Sequence, residues 1–350
     1  MAKKNIYVLH EYGAPTHYLA LESLAERNGC QVVYHELNNL SRIKQSLFRF
    51  SIRDFIHAIG NIFFLLTIQI KRSSKIVLGI APYNKRLKSL MRKMRHHEVY
   101  YHTSYSCWDE SRYVYQPKSK EVLMDWKYFT NEYVKHIFAV SQKTKNELIK
   151  NGYADSNKIS VVNHSYSSLI TVEENIRKSL NFIYVGVLSE RKGIEQLLEF
   201  FSAHVNLNLT IIGKGNLEKL VKSFAEKKSN INYIGYIIDF SVLVSYYKKN
   251  SFLVLNSKRI YPWEELFGMV IIEAMACGCV PITTDHPGPQ EIITNGVDGL
   301  FNSEENFFEG IRYVENMTDE EYLQMRKLAI QKGKSYYKDN MASRWNPIFN

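Results

Sequence analysis

Eleven short runs rich in β-branched and aromatic residues punctuate this chain, in two series separated by one polar stretch. The first series is NIYVLH (5–10), QVVYHE (31–36), KIVLGIA (75–81), EVYYH (98–102), HIFAVS (136–141) and ISVVN (159–163). After SYSSLITVEENIRKS (165–179) the pattern restarts with NFIYVGV (181–187), LTIIG (209–213), INYIG (231–235), FLVLNS (252–257) and CVPITT (279–284). Helix-like segments separate most of these runs, an alternation that predicts parallel strands with crossover helices. Two series predict two α/β domains, residues 1–165 and 166–335. A length of 350 residues with 45% hydrophobic content agrees, being too much for one ordinary core. Open parallel sheets bind ligands beyond the carboxyl ends of their strands, so a cleft between the two sheets is the expected site.

Charge is distributed unevenly. Residues 1–165 hold 25 basic against 13 acidic side chains, and the remainder 20 against 22. Much of the excess lies in SRIKQSLFRFSIRDF (41–55) and NKRLKSLMRKMRHH (84–97), where Lys and Arg alternate with apolar residues. No nucleic-acid motif accompanies them, so nucleic acid is not the expected partner. A basic amphipathic surface facing anionic lipid is one reading for 41–55 and 84–97, and a solvated helix face is the other for 84–97. The apolar run GNIFFLLTIQI (60–70) is too short to span a bilayer and is expected to be a core helix. MAKKNIYVLHEYG moves directly into a strand-like segment without the order of a signal peptide, so a cytoplasmic protein is expected, and the lipid-facing reading of the basic segments would make it peripheral on the inner face of the membrane. Cys30, Cys107, Cys277 and Cys279 are too scattered for a disulfide framework, and Cys277 and Cys279 are expected to pack at a helix end.

The stretch ELFGMVIIE places Glu265 and Glu273 around a Phe-Gly turn. FLVLNS reads as a buried strand and GMVIIEAMA as a helix closed by Gly278. Gly268 therefore stands at a helix N-terminus, where free N–H groups favour a phosphate and a missing Cβ lets it approach. Two acids cannot grip phosphates, but they accept hydrogen bonds from hydroxyls. A ligand with both groups is a nucleotide sugar. Glu273 sits among Ile271, Ile272, Ala274 and Met275, which is awkward for a merely solvated acid.

These residues resemble glycosyltransferase family 4. The E-x7-E spacing of Glu265 and Glu273 lies within EELFGMVIIEAMACGCVPITTDHPGPQEIITNGVDGLF, and the similarity extends to YVGVLSERKGIEQLLEF, LTIIGKGNLEKL, INYIGYI and AVSQKTKNELIKNGY. The resemblance implies the GT-B architecture: two Rossmann-like α/β domains whose parallel sheets face across a cleft. The first binds the acceptor, the second the nucleotide sugar, and a final helix (336–350) crosses back to the first with Trp345 in a packing role. It further implies that Glu273 holds the ribose and Glu265 the transferred sugar, with backbone amides of Phe267, Gly268, Met269 and Val270 on the diphosphate. Lys192 would neutralise that diphosphate as it leaves, and His102 would lie near the donor sugar. Gly13 would let backbone approach the ligands, while Gly213 and Gly235 stand near the base. One departure is Val187, where the family often has an arginine; Arg191 is the candidate replacement.

No D-x-D motif occurs, so neither a metal nor another cofactor is expected. The expected activity is a retaining, metal-independent transfer from a nucleotide-diphosphate sugar to a saccharide or lipid-linked saccharide, in surface polysaccharide assembly. The alternatives are another enzyme of the same fold, a sugar phosphorylase or nucleotide-sugar epimerase, and a catalytically silent partner subunit, which Val187 motivates.

Overall fold

Strands buried on both faces need helices on both sides, and that requirement organises this chain. In the computed structural model Ile6 to Leu9, Ile76 to Gly79 and Phe252 to Leu255 are buried without alternation, the signature of parallel strands covered above and below. Residues 3–11, 13–37, 52–70, 73–109, 119–173, 176–260 and 263–350 are described. They form two compact units, 1–165 with 338–350, and 166–337.

In the first unit, strands β1 (Lys4–His10), β2 (Cys30–Glu36), β3 (Lys75–Gly79), β4 (Glu98–Thr103), β5 (His136–Ala139) and β6 (Ile159–Val161) make a parallel sheet of order β2-β1-β3-β4-β5-β6. Among the described residues, the helices around it are α1 (Leu19–Arg27), α2 (Ile52–Thr67), α3 (Leu87–Met94), α4 (Lys120–Tyr128) and α5 (Gln142–Lys150). Ser119 and Ser141 cap the last two, each accepting a backbone N–H with its hydroxyl. Residues 41–51, part of the first basic segment, lie outside the described residues.

The second unit has β7 (Asn181–Val185), β8 (Asn208–Ile212), β9 (Ile231–Gly235), β10 (Phe252–Leu255), β11 (Val280–Thr284) and β12 (Leu300–Asn302) in the order β12-β11-β10-β7-β8-β9, again parallel. Helices α6 (Ile194–Ala203), α7 (Glu218–Lys227), α8 (Phe240–Lys249), α9 (Met269–Ala276), α10 (Pro287–Ile292), α11 (Phe307–Asn316) and α12 (Asp319–Ser335) accompany it. All eleven expected strands are present. β12 is additional, because three residues after a turn carry too little pattern to stand out.

The segment 60–70 departs from the core-helix expectation. Asn61, Phe64 and Ile68 face inward, Phe64 stacking on His35 with ring centroids 3.6 Å apart, whereas Ile59, Phe63, Leu66 and Ile70 are exposed. A helix packed on one side of a sheet buries one face only, and this one is apolar on both.

Helix α13 (Lys338–Met341) and a 3-10 turn (Ala342–Ile348) complete the first unit. Arg27 donates to the Asp339 carbonyl at 3.1 Å, Arg344 to Asn163 Oδ1 at 2.6 Å, and the Tyr100 hydroxyl to the Ile348 carbonyl at 3.3 Å. Trp345 is buried against Phe138, ring centroids 4.3 Å apart. Trp345→Ala is expected to cost about 3–5 kcal/mol of unfolding free energy, read as a lowered urea midpoint for the transition of this unit.

Candidate functional site

Where strand order reverses in a parallel sheet, the loops leaving the two central strands diverge and open a crevice at the carboxyl edge. In the second unit that point lies between β7 and β10. The loop after β7 carries Arg191 and Lys192 in a 3-10 turn, and the loop after β10 leads to Glu265. They meet: Lys192 Nζ ion-pairs with Glu265 Oε2, the two side chains only 16% and 15% exposed. Ser257 Oγ donates to the same carboxylate oxygen at 3.3 Å, and the Lys258 N–H ties the loops by donating to the Arg191 carbonyl at 2.8 Å. The Arg191 guanidinium and the Lys192 ammonium each lie 4.9 Å from the Trp263 ring centroid, where the ring face attracts cations.

His286 and Gly288 set the backbone of Glu265. The Glu265 N–H donates to His286 Nδ1 at 2.9 Å, so that nitrogen is unprotonated, and Nε2–H donates to the Ser257 carbonyl at 3.1 Å. Burial and the nearby Arg259 hold the imidazole below its usual pKa, in the neutral form this arrangement needs. The Glu265 carbonyl accepts from the Gly288 N–H at 3.1 Å. A Cβ on Gly288 would come within 2.4 Å of the Phe267 nitrogen, so only glycine permits the approach. Arg259 bridges Asp285 (2.9 Å) and Glu304 (3.2 Å) alongside.

Phe267 is buried and Gly268 caps α9 with φ +90°, a left-handed conformation that glycine adopts without strain. No side chain caps this end. The Ile271 N–H donates to the Gly268 carbonyl at 2.9 Å, and the amides of Met269 and Val270 before it are the ones left to an anion. Glu273 follows in the same helix and accepts from the Tyr247 hydroxyl at 3.1 Å. Burial lifts its carboxyl from 4.5 to about 7, while the Tyr247 bond pulls the other way. Gly213 follows β8 and Gly235 ends β9, the Gly213 N–H donating to the Gly235 carbonyl at 2.9 Å. Val187 is exposed, and its carbonyl accepts from the Tyr184 hydroxyl at 2.8 Å.

His102 and Gly13 belong to the first unit. Gly13 lies in the loop after β1 beside Glu36. His102 is near the end of β4, its Nδ1 3.2 Å from the Tyr18 hydroxyl. Its buried Nε2 has no hydrogen-bond partner among the described residues. Burial, then the charges of His164, His17 and His10, push its pKa well below the usual histidine value.

Ser257, Trp263, Tyr247 and His286 were not anticipated. A histidine between a strand end and a proline that opens a helix, as in TTDHPG, was the available signal for His286. Ser257 and Trp263 join the site only through loop positions that periodicity does not encode, and Tyr247 only through the packing of α8 against α9.

Residues 170–335 match the family model described as glycosyl transferases group 1. An uncharacterized glycosyltransferase, MJ1178, of Methanocaldococcus jannaschii is 30% identical over 205 residues, covering 58% of this chain and 54% of its own. The capsular polysaccharide biosynthesis glycosyltransferase CapM of Staphylococcus aureus is 28% identical over 209 residues, 53% of each chain. The chain thus spans about half the length of these curated relatives. The structure of Anabaena Alr3699/HepE in complex with UDP aligns over 97% of this chain and 98% of its own, with a TM-score of 0.66 at 15% identity. The fold is the GT-B fold, each unit a Rossmann-like α/β sandwich.

Breaking the buried pair from either side strands a charge. Lys192→Met and Glu265→Gln are each expected to destabilise the second unit by about 3 kcal/mol, the low end for breaking a pair that keeps some contact with water, and the double variant by at least about 1 kcal/mol less than their sum. Denaturant titration of all four forms measures the coupling.

Proposed function

We propose that this protein is a retaining, family-4-like glycosyltransferase that moves a sugar from a nucleotide-diphosphate donor to a saccharide or lipid-linked saccharide. We place it at the cytoplasmic face of a membrane, in surface polysaccharide assembly. The observation that carries the reading is the Lys192–Glu265 pair at the β7/β10 switch point, next to the uncapped N-terminus of α9. Cation and amides offer a diphosphate its counter-charge, and the carboxylate offers an acceptor for sugar hydroxyls. The matching family model and the name of CapM support the activity and its setting.

In this mechanism no side chain needs to take a proton at the start. Lys192, with Arg191 on the same indole, stabilises the charge gathering on the departing diphosphate, which is worth most in a partly desolvated site. Glu265 holds a hydroxyl of the sugar beside the reacting carbon and balances positive charge developing there. His286 keeps that carboxylate in place without contacting substrate. The leaving phosphate oxygen takes the proton of the incoming hydroxyl on the same face, which retains configuration. His102 is assigned to a sugar hydroxyl, through the Nε2 that lacks a partner among the described residues. We assign charge compensation to Lys192, Arg191 and the α9 amides, without a metal. A silent-partner reading rests on Val187 and predicts nucleotide binding with no transfer.

The assignment of Glu265 to the sugar is tested with Glu265→Ala. Turnover is expected to fall at least about 100-fold, the scale of losing one preorganised electrostatic contact, while nucleotide still raises the melting temperature in EDTA. Unchanged turnover would remove Glu265 from the chemistry. UDP is the first nucleotide to test, and at about 100 times its Kd it should add roughly 2.7 kcal/mol.

Glu273 supplies a pH signature. Its folded pKa of about 7 exceeds the ordinary 4.5, so the folded protein holds a proton that the unfolded chain has released. Its contribution favours folding below the unfolded pKa and is lost as pH rises through about 7. Ribose hydroxyls donating to the carboxylate favour ionisation. Nucleotide affinity is therefore expected to rise between about pH 5.5 and 7.5, by at most roughly tenfold per unit, and calorimetric titration of Glu273→Gln should flatten that rise.

A further inference from the structure

Helix α2 has no charged residue after Asp54, and the next in the chain is Lys71. A 3-10 turn (Ile68–Ile70) continues α2, and the inward face of the two, Ala58, Asn61, Phe64 and Ile68, is at most 5% exposed. Ile56, Ile59, Phe63, Leu66 and Ile70 recur at spacings of three and four, which puts them on one outward stripe. These five are between 48% and 79% exposed. An isolated apolar side chain on a surface needs no explanation, but five in line along a helix do.

Helix α3 adjoins this one. Lys93 Nζ donates to the Leu65 carbonyl at 3.1 Å, and His97 Nε2 lies 2.9 Å from the Ile68 carbonyl. On the exposed side of α3 and its flanks stand Lys85, Lys88, Arg92 and Arg95, again at spacings of three and four. Lys88 pairs with Glu121 at 2.6 Å, while Lys85, Arg92 and Arg95 have no acidic partner among the described residues.

We propose that α2 and α3 form the face by which this protein docks on an anionic lipid bilayer. The α2 stripe enters the boundary between headgroups and acyl chains, and the α3 cations meet lipid phosphates. Sixteen residues of α2 span about 24 Å, short of the roughly 30 Å hydrocarbon core. Among the described residues no helix is long and apolar enough to cross a membrane. The helix therefore lies in the interface plane. Charge selects the bilayer over a second copy of the chain. A two-fold pairing through the same patch brings like-charged α3 surfaces into one interface, whereas anionic headgroups neutralise them.

The docking deepens the lipid-linked acceptor reading, and its test needs no turnover, so each can fail without the other. Full-length protein is floated with vesicles of phosphatidylcholine alone or mixed equally with phosphatidylglycerol. Recovery is expected with the mixed vesicles and not with the neutral ones. Phe63→Ser/Leu66→Ser and Arg92→Glu/Arg95→Glu should each lower partitioning at least about tenfold. Both should melt like the parent and keep its nucleotide response, since the changed side chains are on the surface. Equal recovery of the Phe63→Ser/Leu66→Ser variant would overturn the proposal. So would light scattering that shows a dimer of the parent chain made monomeric by that variant, with vesicle binding unchanged.

Discussion

A largely buried lysine–glutamate pair at the sheet's switch point is the interaction around which the second unit's candidate site is arranged. Two charges taken largely out of water must find each other and enough polar company to offset the lost hydration. Lys192 and Glu265 are 73 positions apart and come together only because the strand order reverses between β7 and β10. Ser257, Trp263 and the main chain at Arg191 supply the remaining partners. The pair is thus a consequence of topology as much as of residue type.

The carboxylates of Glu265 and Glu273 experience different surroundings. Glu265 has a cation, while Glu273 has a phenol and apolar neighbours, and burial lifts it towards neutrality. Difference of environment is what would let two identical side chains hold different hydroxyl groups in the proposed reaction. His286 contributes without charge: one ring nitrogen accepts from Glu265 and the other donates to Ser257. A neutral imidazole spans strand end, loop and helix start, a job that an aliphatic residue of similar size could not do.

The strands were readable because parallel strands covered on both faces are nearly continuous apolar runs, and eleven such runs stood out. β12 was not, its three residues lacking a period. The helix at 60–70 shows the opposite failure. Apolar content announced burial, yet a helix against one sheet layer can hide one face, and Phe63 and Leu66 remain outside. Within the site, Glu265, Gly268 and Lys192 had local signals in ELFG and SERKG. Trp263 and Ser257 had none, because their roles depend on where a loop returns.

From the amino-acid sequence alone came the two α/β units, the glycine at the start of α9, the paired acids and the excess of cations in the first half. Each is a local matter of period, side-chain volume or charge count. Tertiary structure alone decided that Lys192 meets Glu265, that His286 stays neutral, that burial raises Glu273, and that one apolar stripe of α2 faces outward. Those outcomes depend on distances between residues far apart in the chain and on how much water each group retains, and neither is encoded in any short stretch.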